Sequence, residues 1–315
     1  MANMKISALL TSALVGLILV VTSAAWAGPH QVPPLVSTQW LQQRLGHPDV
    51  VTVDVRGAEE YATGHIDKSI SLPFIVPESA WTTMTNGLLL ELPAQEQLFD
   101  TLSAAGITKH SLVVVINSAA RPGVPDSYPR AEAARVALTL VYLGVREVAI
   151  LDGGITKWMA EGRPLSTEVP TPAPATYRAN VRERIFVSKD YVERSIGRSH
   201  TVILDARDTE VYNGTVVEPF APRPGHIPTA KSLPSPLIWN ADGTYRSVAE
   251  LEALASSVIG SCKAKEIIVY CGVGGYASGW WYVLSQVLGY KNVRLYDGSA
   301  QEWAADPDAP LVTSP

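Results

Sequence analysis

Cysteine is nearly absent from this chain: Cys262 and Cys271 are the only two among 315 residues. A scaffold stapled by disulfides would carry more, and so would a metal site built on thiolates. The six histidines are scattered rather than grouped, so no metal-ligand set is suggested. Runs of lysine or arginine are missing too, and the formal net charge is −5. That argues against nucleic acid as a partner. With 47% hydrophobic and 17% charged residues, the chain has the means to build buried cores and does not resemble a disordered one.

Lys5 is the only charged side chain before an apolar run from Ile6 to Trp26. Ala25-Trp26-Ala27 then fits the small-x-small pattern of a signal-peptidase site. Residues 1–27 therefore read as a secretory signal, which predicts a periplasmic or secreted protein with no membrane attachment after cleavage. An uncleaved N-terminal anchor is the competing reading, because the run approaches the length of a span. Residues 28–315 suffice for about two ordinary domains. Cys262 precedes an expected strand and Cys271 ends it, so an extended chain holds them beyond disulfide reach. Cys271 is then expected to be a free thiol in an oxidising compartment. Such a thiol is hazardous unless it has chemistry to do, although a buried free cysteine is also ordinary core.

Compared with itself, the chain repeats. Val51-Thr52-Val53-Asp54-Val55-Arg56 recurs as Val202-Ile203-Leu204-Asp205-Ala206-Arg207, and Gly64-His65-Ile66 recurs as Gly225-His226-Ile227. Leu151-Asp152-Gly153-Gly154 with Trp158 recurs as Tyr296-Asp297-Gly298-Ser299 with Trp303. Such correspondences in one order indicate a duplicated domain. Each copy alternates continuously apolar runs, such as Val113 to Ile116 and Ile267 to Val269, with helical patterns, Ala131 to Leu143 and Ser278 to Leu288. That predicts an α/β fold, in each copy a mostly parallel sheet with helices on both faces. A proline-rich stretch marks the boundary. The expected division is residues 28–165, a linker over 166–186, and a second domain over 187–315, where Ser188 is placed to cap a helix.

In an open parallel sheet, ligands bind beyond the C-terminal strand ends. Cys271-Gly272-Val273-Gly274-Gly275-Tyr276-Ala277 begins where a buried strand ends and leads into a helix. Three glycines in this loop let successive N–H groups turn inward, with a helix N-terminus behind them. The arrangement favours an anion at its centre; if that centre is the Cys271 sulfur, it predicts a thiolate nucleophile at neutral pH. A nucleotide loop would need a Gly-Lys-Ser/Thr ending, which is missing. A phosphatase cradle would need arginine six positions after the cysteine, where Ala277 stands. A structural turn around a buried cysteine remains the bland alternative.

The Asp-x-Arg strand, Gly-His-Ile, the cysteine loop at a strand end and Leu-Asp-Gly-Gly with a following tryptophan together resemble the rhodanese family. The resemblance covers both halves. It is similar to the tandem thiosulfate and 3-mercaptopyruvate sulfurtransferases, whose first domain is catalytically silent; Asn117 stands here where the first copy would carry its cysteine. The resemblance implies that Cys271 accepts sulfane sulfur as a persulfide and passes it to a thiol, cyanide or a protein acceptor, with no cofactor. Gly272, Val273, Gly274, Gly275, Tyr276 and Ala277 are the expected substrate-binding loop.

Departures from the family leave the donor open. The loop is uncharged, which is closer to the mercaptopyruvate pattern than to the Arg- and Lys-bearing thiosulfate one. Yet Val273 and Tyr276 replace that pattern's serine and threonine, and Val211 stands where an arginine clamp is expected. Arg223 is the candidate substitute. In mercaptopyruvate enzymes an Asp and a His of the silent domain face the cysteine, and Asp54 and His65 match them in motif. Purely structural pairing at the strand ends is the other reading for Asp54 with Arg56 and for Asp205 with Arg207. A non-turnover carrier of persulfide or another chalcogen, serving a partner protein, is the alternative to an enzyme.

Overall fold

The structure, a computed structural model, describes residues 32–314. The expected signal segment over 1–27 lies outside the described residues. Among those described, no helix is long and apolar enough to cross a membrane.

The first half runs β1 (Leu35–Val36), α1 (Thr38–Gln42), β2 (Val50–Asp54), α2 (Ala58–Thr63), β3 (Ile70–Ser71), β4 (Thr83–Thr85), β5 (Leu88–Glu91), α3 (Gln95–Ala104), β6 (Leu112–Ile116), α4 (Ser127–Tyr142), β7 (Glu147–Leu151) and α5 (Gly154–Ala160). The second runs β8 (Phe186–Val187), α6 (Lys189–Glu193), β9 (Thr201–Asp205), α7 (Thr209–Asn213), β10 (Lys231–Ser232), α8 (Val248–Ile259), β11 (Glu266–Tyr270), α9 (Gly275–Tyr282), β12 (Asn292–Tyr296) and α10 (Ser299–Ala305). Strand order is β1-β7-β6-β2-β3 in one sheet and β8-β12-β11-β9-β10 in the other, all pairs parallel. One order maps onto the other strand for strand. The duplication read from the motifs is a duplication of topology, and the fold is the expected α/β architecture written twice.

Central strands are apolar throughout because both their faces are covered: Val113, Val114, Val115 and Ile116 are all fully buried. The repeated motifs bind each copy together in the same way. Arg56 grips Asp54 and donates to the Gly64 carbonyl at 2.9 Å. Arg207 does the same to Asp205 and to the Gly225 carbonyl at 2.8 Å. Asp-x-Arg and Gly-His-Ile are thus two halves of one clasp, tying a strand end to the returning chain. Trp158 and Trp303 each donate to a carbonyl past their helix, Pro164 at 2.9 Å and Pro310 at 2.8 Å.

The copies meet along α4 and α9, which pack against each other. α4 buries thirteen of its sixteen residues, as an interior helix does, and its buried charges, Glu132 and Arg135, are each paired, with Arg121 and Asp297. Trp280 and Trp281 are core residues here. An antiparallel β4–β5 hairpin reaches from the first domain across the second. Its turn, Asn86-Gly87, has positive φ at both positions (54° and 82°), the geometry that matches the twist of a two-residue hairpin.

The proline-rich segment is pinned to the first domain. Tyr177 is fully buried, donates its hydroxyl to the Leu143 carbonyl at 2.8 Å, and packs on Phe99. Tyr177→Ala is expected to cost about 3 kcal/mol in urea unfolding, the usual range for deleting a buried aromatic. A loss below about 1 kcal/mol would mean that the segment is not anchored there. Ser188 accepts from the Tyr191 N–H at the start of α6, the expected cap.

Candidate functional site

Cys271 follows directly on β11 and is 2% exposed. Backbone N–H groups of Ala277, Val273 and Gly274 point at its sulfur, the inward cradle that the glycines permit. Gly274 has φ +84°, and a Cβ there would also meet the Asp297 carboxylate at 3.2 Å. Gly272 serves closeness instead: a Cβ would lie 2.4 Å from the Phe220 ring and 2.9 Å from Glu218 Oε1. The loop is closed from behind by α10, whose Ala300 and Gln301 N–H groups donate to the Cys271 and Gly272 carbonyls at 2.9 and 3.0 Å. Ser299 holds that turn with φ +50°, its hydroxyl donating to the Tyr296 carbonyl and accepting from the Cys271 N–H.

A small cavity of about 50 Å³ opens beside the sulfur, room for a few water-sized groups. Its walls come from both domains. Phe74, Val76, Leu90, Tyr128, Ala131 and Glu132 belong to the first; Glu218, Phe220, Gly272, Val273, Gly275 and Tyr276 complete it from the second. The Tyr276 hydroxyl is 2.7 Å from that of Ser127, and its ring lies 5.1 Å from that of Tyr128. The first domain therefore contributes to the site through the hairpin and the start of α4.

The electrostatics depart from the expected thiolate. Burial pushes the Cys271 thiol up to about 11, against the opposing pull of the three N–H groups, and the Glu218 carboxylate adds to the rise. Removing a sulfur anion from water outweighs three dipoles at this depth. Glu218 is itself pushed up to about 7, chiefly by burial, with Arg207 opposing and Asp205 reinforcing. Its Oε2 is buried without a hydrogen-bond partner and stands 3.6 Å from Arg207.

Several residues singled out in the sequence are placed elsewhere. Arg223 is not a wall of the cavity; it donates to the carbonyls of Trp303, Ala304, Asp306 and Ala309, holding the C-terminal turn. His65 is fully buried, stacked 3.8 Å from Tyr61, with Nδ1 at the Tyr61 carbonyl and Nε2 at the Glu168 carbonyl. His226 stacks on Tyr212 in the same manner. Asp54 is consumed by Arg56, and neither Asp54 nor His65 lines the cavity. Asp205 and Arg207 reach the site only indirectly, through Glu218.

The sequence reading missed Glu218, Phe220, Tyr128 and Leu90. An Asn-Gly pair between two β-rich runs was a signal for the hairpin that carries Leu90. Nothing local marked the other three. In the first copy the matching strand end carries Asn117, whose amide donates to the Pro129 carbonyl and to Glu132. Its helix starts ten positions later, at Ser127, so no tight cradle forms. Trp239, Gly243 and Tyr245 of the second domain line the hollow beside it.

Two parallel five-stranded sheets, a cysteine at a strand end and matching motif pairs are reflected in the sequence comparisons: residues 37–161 and 188–306 each match the rhodanese-like domain. The chain belongs to the rhodanese family, with two tandem copies. It is 33% identical over 289 residues to the sulfur carrier protein TtuD of Thermus thermophilus, covering 88% of this chain and 96% of that one. It is also 29% identical over 280 residues to the thiosulfate sulfurtransferase of Azotobacter vinelandii, covering 89% and 97%. Among solved structures, the anaerobic ergothioneine biosynthesis enzyme from Chlorobium limicola in complex with trimethyl histidine superposes with a TM-score of 0.75. At 23% identity over 90% of this chain and 70% of that chain, it shares the fold.

Proposed function

We propose that this protein is an exported sulfurtransferase that takes sulfane sulfur from a small donor, thiosulfate or 3-mercaptopyruvate, onto Cys271. The observation that carries the reading is the Cys271 sulfur, held over three backbone N–H groups and opening on a cavity only a few atoms across. In the first step the thiol loses its proton and attacks the donor's outer sulfur. The donor's S–S or C–S bond breaks, its remainder leaves with the bonding electrons, and Cys271 holds a persulfide. The N–H cradle then serves that terminal anion, and the space beside it accommodates one more sulfur. In the second step an acceptor such as a thiol or cyanide takes the outer sulfur and Cys271 is released. The residues named as the loop, Gly272 to Ala277, supply the cradle. The first domain, residues 28–165, is read as silent because Asn117 offers no nucleophile, and residues 166–186 as its link to the catalytic domain, 187–315.

A carrier that hands persulfide to a partner protein is a second reading, favoured by the uncharged loop and by the relative named as a sulfur carrier. Intact-protein mass after exposure to each donor, on wild type and Cys271→Ser, tests the proposal. One added sulfur on wild type alone is expected, followed by its loss on addition of thiol or cyanide with repeated turnover. No added sulfur from either donor would overturn the small-donor enzyme. Stoichiometric loading without turnover would replace it with the carrier.

A further inference from the structure

The walls of the Cys271 cavity say something about the charge of what enters. Four aromatic side chains line it, Phe74, Tyr128, Phe220 and Tyr276, beside aliphatic Val76, Leu90 and Val273. Two carboxylates, Glu132 and Glu218, line it as well, and among the described residues no lysine or arginine does. The nearby cations are already committed. Arg207 is held by Asp205 and the Gly225 carbonyl. Arg121 neutralises Glu132 at 2.6 Å. Arg135 is fully buried against Asp297 and the Leu90 carbonyl. Glu218 has one oxygen lacking a hydrogen-bond partner, 3.6 Å from an Arg207 whose charge Asp205 already balances. Asp208, exposed at the start of α7, lies close enough to act on Glu218, Tyr128 and Tyr276. The Arg207, Asp205 and Glu218 group therefore carries one negative charge whenever Glu218 is ionised. An anion entering would meet that charge with only the backbone N–H groups around the Cys271 sulfur to answer it, groups that serve the sulfur being transferred from a donor rather than a charged tail on an acceptor. A cation would meet aromatic rings and a carboxylate, the two kinds of group that attract it.

We propose that the acceptor taking sulfur from Cys271 is a small aminothiol, whose positively charged group is recognised by Glu218 and the aromatic walls. This rests on the persulfide reading. The step balances without a further oxidant. The acceptor thiolate attacks the outer sulfur, the Cys271 S–S bond breaks as a new one forms, and Cys271 leaves as thiolate. The proton that the acceptor thiol gave up ends on the transferred sulfur, so that acceptor thiol and Cys271 persulfide anion become acceptor persulfide and Cys271 thiolate. The cavity of about 50 Å³ admits a thiol on a short chain.

Wild type is loaded with cysteamine persulfide, made from cystamine and sulfide, and the added sulfur is confirmed by intact mass. It is then discharged with cysteamine, 2-mercaptoethanol or 2-mercaptoethanesulfonate, near-isosteres that differ in charge. Rates are normalised to thiolate concentration. Cysteamine is expected to be faster than the sulfonate by about tenfold or more, with the neutral thiol between them. Glu218→Gln should shrink that ratio to about threefold or less, and high salt should narrow it on wild type. Charge-independent rates on wild type would overturn the inference while leaving the sulfur-transfer function standing. Failure to load any sulfur from cysteamine persulfide, thiosulfate or 3-mercaptopyruvate would overturn that function as well.

Discussion

Carbamidomethylation of Cys271 is expected to accelerate about tenfold per pH unit from pH 7 to pH 10, because only the thiolate reacts. An ordinary thiol levels off soon after pH about 8.5; this one, pushed up to about 11 by burial, should still be rising at pH 10. At pH 7.5 its reactivity should fall below that of free cysteine by roughly two orders of magnitude. Rate against pH, followed by mass spectrometry with peptide-level separation from the exposed Cys262, measures this. A profile that levels near pH 8 would mean that the N–H cradle overcomes burial. The shift also acts on stability. The unfolded thiol ionises from about 8.5, whereas the folded one holds its proton to about 11. The favourable contribution is therefore complete below the unfolded value and is lost as pH rises through that window. Cys271→Ala should remove this part of the alkaline fall in unfolding free energy.

The second large effect is expected at Arg135. Its side chain is fully buried, donates to Asp297 at 2.6 Å and to the Leu90 carbonyl at 2.8 Å, and lies over the Phe186 ring. One guanidinium thus joins α4, the β4–β5 hairpin, the chain after β12, and β8. Arg135→Ala strips the counter-charge from a largely buried carboxylate and leaves a void, and both penalties run in the same direction. A loss of about 3–5 kcal/mol in urea unfolding is expected, the range for breaking a buried pair from one side. Leu90, a wall of the Cys271 cavity, loses its tether in the variant. Cys271 alkylation at neutral pH should therefore rise although the residue replaced lines no part of the cavity. Glu91, already pushed up to about 7 by burial and by Asp297, should move higher once Arg135 no longer opposes it. A loss under about 1 kcal/mol would show that the joint is relaxed enough to resolvate the charge.

The duplicated aspartates illustrate how a motif's meaning can hide until the copies are seen together. Asp152 accepts from the Tyr245 N–H at 2.8 Å, and Asp297 accepts from the Leu92 N–H at 3.1 Å. Each Asp-Gly turn therefore holds a segment of the opposite domain above its own strand ends. In the second copy that segment delivers Leu90 to the cysteine. In the first, Trp239 and Tyr245 come to rest beside Asn117.

What the amino-acid sequence determined by itself lies within short reach along the chain. Apolar runs specified buried parallel strands, and repetition specified two of them side by side as copies. A cysteine between a strand and a glycine-rich turn specified where chemistry could occur. Each of these follows from local pattern and backbone freedom. Only the tertiary structure decided which polar residues were left for the site. His65, Asp54 and Arg223 had the right chemistry but are spent on carbonyls and carboxylates nearby. Glu218 and Tyr128, unmarked in the chain, meet at the cysteine because two domains fold against each other. The protonation state of Cys271 was decided there too. The glycine loop favours a thiolate, but the depth of the sulfur depends on packing from the far domain, and desolvation is a property of the whole enclosure.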